Sequence, residues 1–378
     1  MTVIDRYLVQ VYAKVLLVSF ASLVGLFVVI DGANNLDEFY SYGNHRILDA
    51  MQVMAEYYAP RSLQFFDQIS GLLAMLAATF VITSIARTNE LTAIMAAGIG
   101  PARIIRPLLA ASIVVALLAA ANREVGLPKL RDSLSKNAQD WLGETGRKCT
   151  PRYDIKSDIL VSAQATVAKD KHLDGPLFRL PPEFSTWGRQ IAADAAHYLR
   201  AEGDRPAGYL FHGVKQPTNL AQLATARLNG DPVLFSPSDT QWLKPDECFV
   251  ASIVTFEQLS IGSAWRQNLS SWELMTGLRG QTIEPGADVR LTLHSRCVRP
   301  LLDLSIVLLG IPLVLRRETR NIFMAATIGV LIVVALWMVT FASDALGRNY
   351  LISATLAAWL PLLIFGPLAY VAARPLWD

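Results

Sequence analysis

The chain has 378 residues, 52% of them hydrophobic and only 17% charged, against roughly 25% charged residues in a typical soluble domain. A formal net charge of +2 and the lack of any long basic run leave no electrostatic footprint for nucleic acid. This composition excludes an all-soluble protein and a nucleic-acid binder, and fits membrane spans diluted by one polar domain.

Residues 15–30 form the first charge-free apolar stretch, after a short head carrying Asp5, Arg6 and Lys14. No small-residue cleavage site ends it, so it reads as a retained span and not a signal peptide. Residues 36–61 mix charges with Phe39, Tyr40, Tyr42, Tyr57 and Tyr58. Tyrosine favours the membrane–water boundary, which predicts a segment lying along the outer surface. Stretches 68–86 and 107–122 supply the second and third spans, and a polar helix from Glu124 to about Trp141 continues outward.

From 145 to 263 the character changes. Pro, Gly and Asp punctuate short β-branched and aromatic runs, the pattern of an all-β domain that could close a sandwich. Residues 158–167 alternate through Ile159, Val161, Ala163, Ala165 and Val167, and 249–256 form another run. Two strands flank Gly203-Asp204-Arg205-Pro206 as a hairpin. Residues 265–290 are expected to be helical and lead back to spans four to six: 301–315, interrupted only by Asp303, then 321–343 and 349–373. A hydrocarbon core about 30 Å thick needs roughly 20 residues of helix, and backbone in lipid must bond to itself.

Lys and Arg set the orientation. Arg6, Lys14, Arg87, Arg103, Arg106, Arg316, Arg317, Arg320 and Arg374 flank one side; Arg46, Arg61 and Arg348 flank the other. Both termini are therefore expected in the cytoplasm and the β-rich insert outside. Of the three cysteines, Cys149 and Cys248 fall in that insert, either bridged or as two buried thiols; Cys297 begins span four and is expected to be unpaired.

The most specific stretch is Asn89-Glu90-Leu91-Thr92-Ala93-Ile94-Met95-Ala96-Ala97-Gly98, followed by Ile99-Gly100-Pro101. Thr88 or Asn89 can cap a helix start, and Glu90 suits its dipole. Leu91, Ile94, Met95 and Gly98 fall at i, i+3, i+4 and i+7, one face of a short helix. Gly98 can end it and Pro101 can open the next. A groove in a soluble partner could bury that face, as could the chain's own bundle or the headgroup layer.

This stretch resembles the coupling helix of the LptF/LptG (YjgP/YjgQ) permeases. So do Ile4-Asp5-Arg6-Tyr7, His294-Ser295-Arg296 through Pro300, Leu309-Gly310-Ile311-Pro312-Leu313 and Trp359-Leu360-Pro361, in the same order of spans around a β-rich insert. The resemblance runs along nearly the whole chain and implies a membrane α-helical fold. Six transmembrane helices in a 3+3 arrangement carry an inserted extracytoplasmic all-β, jellyroll-like domain. The expected boundaries are 1–140, 141–263 and 264–378.

The resemblance also implies a role as a bacterial inner-membrane, multi-pass permease subunit. It pairs with a paralogous subunit on a cytoplasmic ABC ATPase dimer, extracts lipopolysaccharide and passes it to a periplasmic jellyroll bridge protein. Glu90, Leu91, Ile94, Met95 and Gly98 would dock on the ATPase, while spans one and five gate the lipid cavity. Well-known relatives place basic residues at the outer end of span one; here stand Asp31, Asp37 and Glu38. Contact with lipid phosphate then falls to Arg46 or Arg61, or the lipid differs.

No G-x-x-x-x-G-K-[ST], HExxH or G-x-S-x-G occurs, so neither a nucleotide cofactor nor catalysis by the chain itself is expected. The five histidines (His45, His172, His197, His212 and His294) lack metal-ligand spacing and read as surface or hydrogen-bonding residues. Asp31, Asp67 and Asp303 lie towards the outer ends of spans and read as solvated charges. A non-transporting scaffold, with a β domain that binds envelope proteins, is the alternative reading. A lipid-modifying enzyme ranks last, because no nucleophile cluster supports it.

Overall fold

The computed structural model describes residues 3–43, 46–203, 205–261, 266–280, 286–316 and 322–374. His45, Asp204, Trp265, Arg317, Arg320 and Asn321, each used in the reading above, lie outside the described residues. In chain order the helices are α1 (Val3–Asn34), α2 (Leu36–Tyr42), α3 (Ile47–Arg87), α4 (Glu90–Ala96), α5 (Pro101–Ala121), α6 (Leu127–Lys129), α7 (Arg131–Ser135), α8 (Phe256–Ser260), α9 (Ser271–Arg279), α10 (Ala287–Arg316), α11 (Ile322–Arg348) and α12 (Ala354–Ala373). A π-helical turn, Asn122–Gly126, joins α5 to α6. The chain divides into two units: residues 1–130 with 286–378, and residues 131–285.

The first unit is helical. Among the described residues, five of its segments are long and apolar enough to cross a membrane: Val3–Asn34, Ile47–Arg87, Pro101–Lys129, Thr327–Arg348 and Ala354–Ala373. α3 sits at its centre, burying Leu73, Met75, Ala77, Ala78 and Val81 against α1, α5, α10 and α11. The small residues of that row let neighbouring backbones approach closely, the usual basis of helix packing in lipid. Tyr12 of α1 meets Ser112 of α5 through a 3.1 Å hydroxyl contact. α1 otherwise leaves Leu17, Val18, Leu26 and Val29 exposed, as α11 leaves Met338 and Phe341.

Residues 36–61 are largely helical. α2 is one short helix packed on α3, and from Ile47 the chain is already α3, a single helix of 41 residues. The aromatic side chains cluster: Phe39 meets Tyr57 at 5.2 Å between ring centroids and Tyr58 at 5.8 Å. Their mutual burial holds the N-terminal part of α3 against α2.

The second unit is built on a ten-stranded antiparallel sheet. Its strands are β1 (Arg147–Lys148), β2 (Arg152–Tyr153), β3 (Leu160–Val161), β4 (Ala163–Val167), β5 (His172–Arg179), β6 (Gln190–Leu199), β7 (Gly208–Gln216), β8 (Ala226–Leu228), β9 (Asp231–Phe235) and β10 (Cys248–Ala251). The order is β1-β4-β5-β6-β7-β10-β9-β8, with β2 pairing β3 and β3 pairing β5. The expected hairpin is present, with Tyr198 opposite Tyr209 and Leu199 opposite Gly208. The run at 158–167 is two strands, not one, because the chain changes partners at Ser162, whose hydroxyl donates to the Leu177 carbonyl.

Phe178, Trp187, Tyr209, Phe211 and Val250 fill the core of this unit. Buried Asp154 ties its strands together, accepting from Ser252 Oγ at 2.6 Å and the Ile253 amide at 2.9 Å. Cys149 and Cys248 are both buried and both free, so no bridge joins them. The unit is wider than the 141–263 insert read from composition. It includes α7 and also α9, which a Ser270–Glu273 capping box starts and whose Thr276 and Gly277 share a cavity wall with the sheet residues Val233 and Ala251. The helical region expected at 265–290 is thus α9, with α10 beginning separately at Ala287.

Candidate functional site

α4 hangs from the end of α3 by a tight corner. Thr88 closes α3 through its amide to the Ser84 carbonyl, and Asn89 takes a left-handed conformation (φ 58°), which asparagine tolerates better than most side chains. At the far end the Ile99 amide bonds the Ile94 carbonyl at 3.2 Å and the Gly98 amide bonds that of Met95 at 3.0 Å. Those two bonds, with Gly98 at φ 80°, make a complete Schellman stop. Pro101 then occupies the first turn of α5. Gly98 and Pro101 act as expected, whereas Asn89 at the N-cap gives no side-chain cap bond to the start of α4.

No residue of α4 is buried. The face drawn from spacing is divided, however. Leu91 and Ile94 are half-buried and pack against the core of the membrane unit, whereas Glu90, Met95 and Gly98 are exposed. Met95 keeps 49% of its surface open. The apolar stripe thus anchors the helix on its own bundle and leaves Glu90 and Met95 outward.

The two arginines expected to meet phosphate do not share a site. Arg46 is an exposed residue at the N-cap of α3; Arg61 lies fifteen positions on, about 22 Å along the axis at 1.5 Å per residue. Arg61 donates to the Tyr57 carbonyl at 2.9 Å and stacks 3.4 Å above the Tyr57 ring. Asp31 accepts from the Tyr58 hydroxyl at 2.7 Å, which ties the end of α1 to α3.

A charge network that sequence reasoning missed lies within the helical unit. Asp67 on α3 is buried, not solvated, and receives Arg123 from the π-helical turn: Nε to Oδ1 at 3.0 Å and Nη2 to Oδ1 at 2.8 Å. From α10, Arg299 Nη2 donates to the Asp67 carbonyl at 2.8 Å and the Gln68 carbonyl at 3.1 Å. Asp303, one turn further, accepts from Ser70 Oγ at 3.1 Å. A Cβ on Gly71 would collide with Asp303 Oδ1, so only glycine lets this carboxylate approach α3 so closely. Arg296 adds an ion pair with Glu124 at 3.6 Å. π-Helical turns recur at functional sites, and this one aims Arg123. The available signals were the i, i+4 spacing of Arg299 and Asp303 and an Asp at the edge of a charge-free run.

In the β unit, His172, His197 and His212 form a row across adjacent strands, with ring centroids 5.4 and 5.0 Å apart. His212 Nδ1 lies 3.0 Å from Glu247 Oε1, which also pairs with Lys244. Burial, with His212 and His172 alongside, pushes the His197 imidazole below its ordinary value. Spacing had suggested isolated histidines; strand register brings three together. Among the described residues no group of three or more His, Cys, Asp or Glu is placed to hold a metal ion.

A bundle of apolar helices joined to an antiparallel β unit, with charges held inside the bundle, defines a multi-pass membrane protein carrying an inserted β domain. The family model for the lipopolysaccharide export system permease LptF/LptG matches residues 6–174 and 185–374, and the chain belongs to that family. No curated protein matches it. It is therefore a lipopolysaccharide export permease, a multi-pass transporter component of the inner membrane.

Proposed function

We propose that this chain is one permease half of an ATP-binding-cassette exporter. Two such subunits, in our reading a paralogous pair, stand on a cytoplasmic ATPase dimer and draw lipopolysaccharide from the outer leaflet. The β domain, a periplasmic jellyroll in this reading, passes the lipid to a bridge of similar domains. Both termini and α4 lie in the cytoplasm. α10 supplies the fourth span: its Arg296, Arg299 and Asp303 face Glu124, Asp67 and Ser70, which answers the objection that its charges raise. The bare apolar sides of α1 and α11 suit them to hold acyl chains by contact alone.

The observation that carries the reading is an exposed, rigidly capped helix fixed to the end of the central helix of the bundle. A push on Met95 and Glu90 is delivered through Leu91 and Ile94 to the core beneath. The test is co-purification of the ATPase with Glu90→Lys and Met95→Asp variants. The reading expects the ATPase to be lost while the permease stays folded; full retention with both variants contradicts it.

A further inference from the structure

Beyond α4, a cavity of about 340 Å³ opens among α3, α10, α11 and α12. Its polar lining includes Ser295, Arg299, Asp303, Thr340 and Asp344. Two carboxylates therefore face one guanidinium, and that guanidinium already bonds the Asp67 and Gln68 carbonyls. Among the described residues Asp303 receives only the Ser70 hydroxyl. Asp344 makes no hydrogen bond or ion pair among the described residues; Arg348, one turn along α11, acts on it through space. Thr340 Oγ1, one turn before Asp344, is buried with no partner.

An under-neutralised pair of carboxylates beside an orphan hydroxyl, inside a membrane bundle, calls for a cation that donates hydrogen bonds. A primary ammonium carries three donors, enough for Asp303, Asp344 and Thr340 together. The depth suits a lipid headgroup. Gln68 lies 19 residues before the end of α3, about 28 Å along the axis, and Asp344 lies 22 residues beyond the start of α11, about 33 Å. Under the orientation proposed above, on which this step rests, both reach the outer edge of a hydrocarbon core about 30 Å thick.

We propose that this cavity binds the ammonium group of an outer-leaflet amino-phospholipid, held between Asp303 and Asp344, with its phosphate towards Arg299.

The test is native mass spectrometry of the purified full-length chain in detergent, titrated with phosphatidylethanolamine, phosphatidylcholine and phosphatidylglycerol. Choline has no N–H to donate and phosphatidylglycerol no cation, so phosphatidylethanolamine should bind about tenfold tighter than either. Asp344→Asn and Thr340→Val should each reduce that preference without altering the melting temperature, since neither side chain loses a hydrogen bond among the described residues. Equal binding of the three lipids, or a preference unchanged in both variants, overturns the proposal. A parallel titration with free ethanolamine separates the sources: Asp344-dependent binding of ethanolamine with none of the lipid would overturn the lipid assignment. The assay contains no ATPase, so its result and the fate of the docking reading stay distinguishable.

Discussion

Arg123 and Asp67 face one another as a sealed ion pair. The guanidinium closes on the carboxylate through Nε at 3.0 Å and Nη2 at 2.8 Å, and both side chains are more than nine-tenths buried. Removing one member of such a pair leaves an uncompensated buried charge, which costs about 3–5 kcal/mol. Arg123→Met and Asp67→Leu should each lower the thermal stability of the detergent-solubilised protein sharply, and the double variant should recover much of the loss. Losses that simply add would mean that the two charges act independently.

Gly71 and Gly98 should respond differently to alanine. At Gly71 the new Cβ would collide with Asp303 Oδ1 and break the Ser70–Asp303 contact. At Gly98 nothing lies within 4 Å, so the cost is the left-handed conformation alone, about 1–2 kcal/mol confined to α4. Gly25, helical and open, serves as the neutral control. Melting temperatures should rank Gly25→Ala above Gly98→Ala above Gly71→Ala.

The histidine row makes the β unit acid-sensitive. His197 in the folded chain takes its proton at lower pH than the unfolded imidazole, whose value is about 6.5. Below that pH the unfolded state binds more protons, so this contribution to stability is present at neutral pH and fades as pH falls towards the folded value. His172 and His212 oppose protonation of His197 and Asp170 favours it; Glu247, shared with Lys244, faces only His212. Hydrogen exchange of β5 to β7 should show faster opening at pH 5.5 than at 7.5 after correction for intrinsic rates. His197→Asn should flatten that dependence, and an unchanged slope would remove the row from the explanation.

Burial drives the Cys248 thiol far above its ordinary value and also raises that of Cys149. Neither should react with iodoacetamide in the folded protein, and both should react after denaturation. Intact mass should not change with reductant beforehand. A mass gain of two hydrogen atoms on reduction would reveal a bridge.

Much of this architecture was legible in one sequence because lipid imposes a strict rule on backbone. Charge-free runs at 68–86 and 349–373 had to be helices: the first lies within α3, and the second, after a five-residue turn, is α12. The ends of α4 were equally readable, since Gly98 and Pro101 each have one conformational use there. What stayed hidden depends on register between distant segments. Nothing in the spacing of Asp67, Arg123 and Arg299 announces that three helical elements meet there, nor that strand pairing aligns His172 with His197. The division of α4 into an anchored side and an open side was hidden for the same reason. Periodicity identifies an apolar face but not which neighbour covers it.

The central claim is that the open side of α4 lies in the cytoplasm against an ATPase. Its most direct test is labelling of Met95→Cys, in a background lacking the native cysteines, with a membrane-impermeant maleimide. The account predicts no labelling from the periplasmic side of intact cells, protection in inside-out vesicles that retain the ATPase, and full labelling once the ATPase is stripped. Labelling from the periplasmic side, or no protection by bound ATPase, would contradict it.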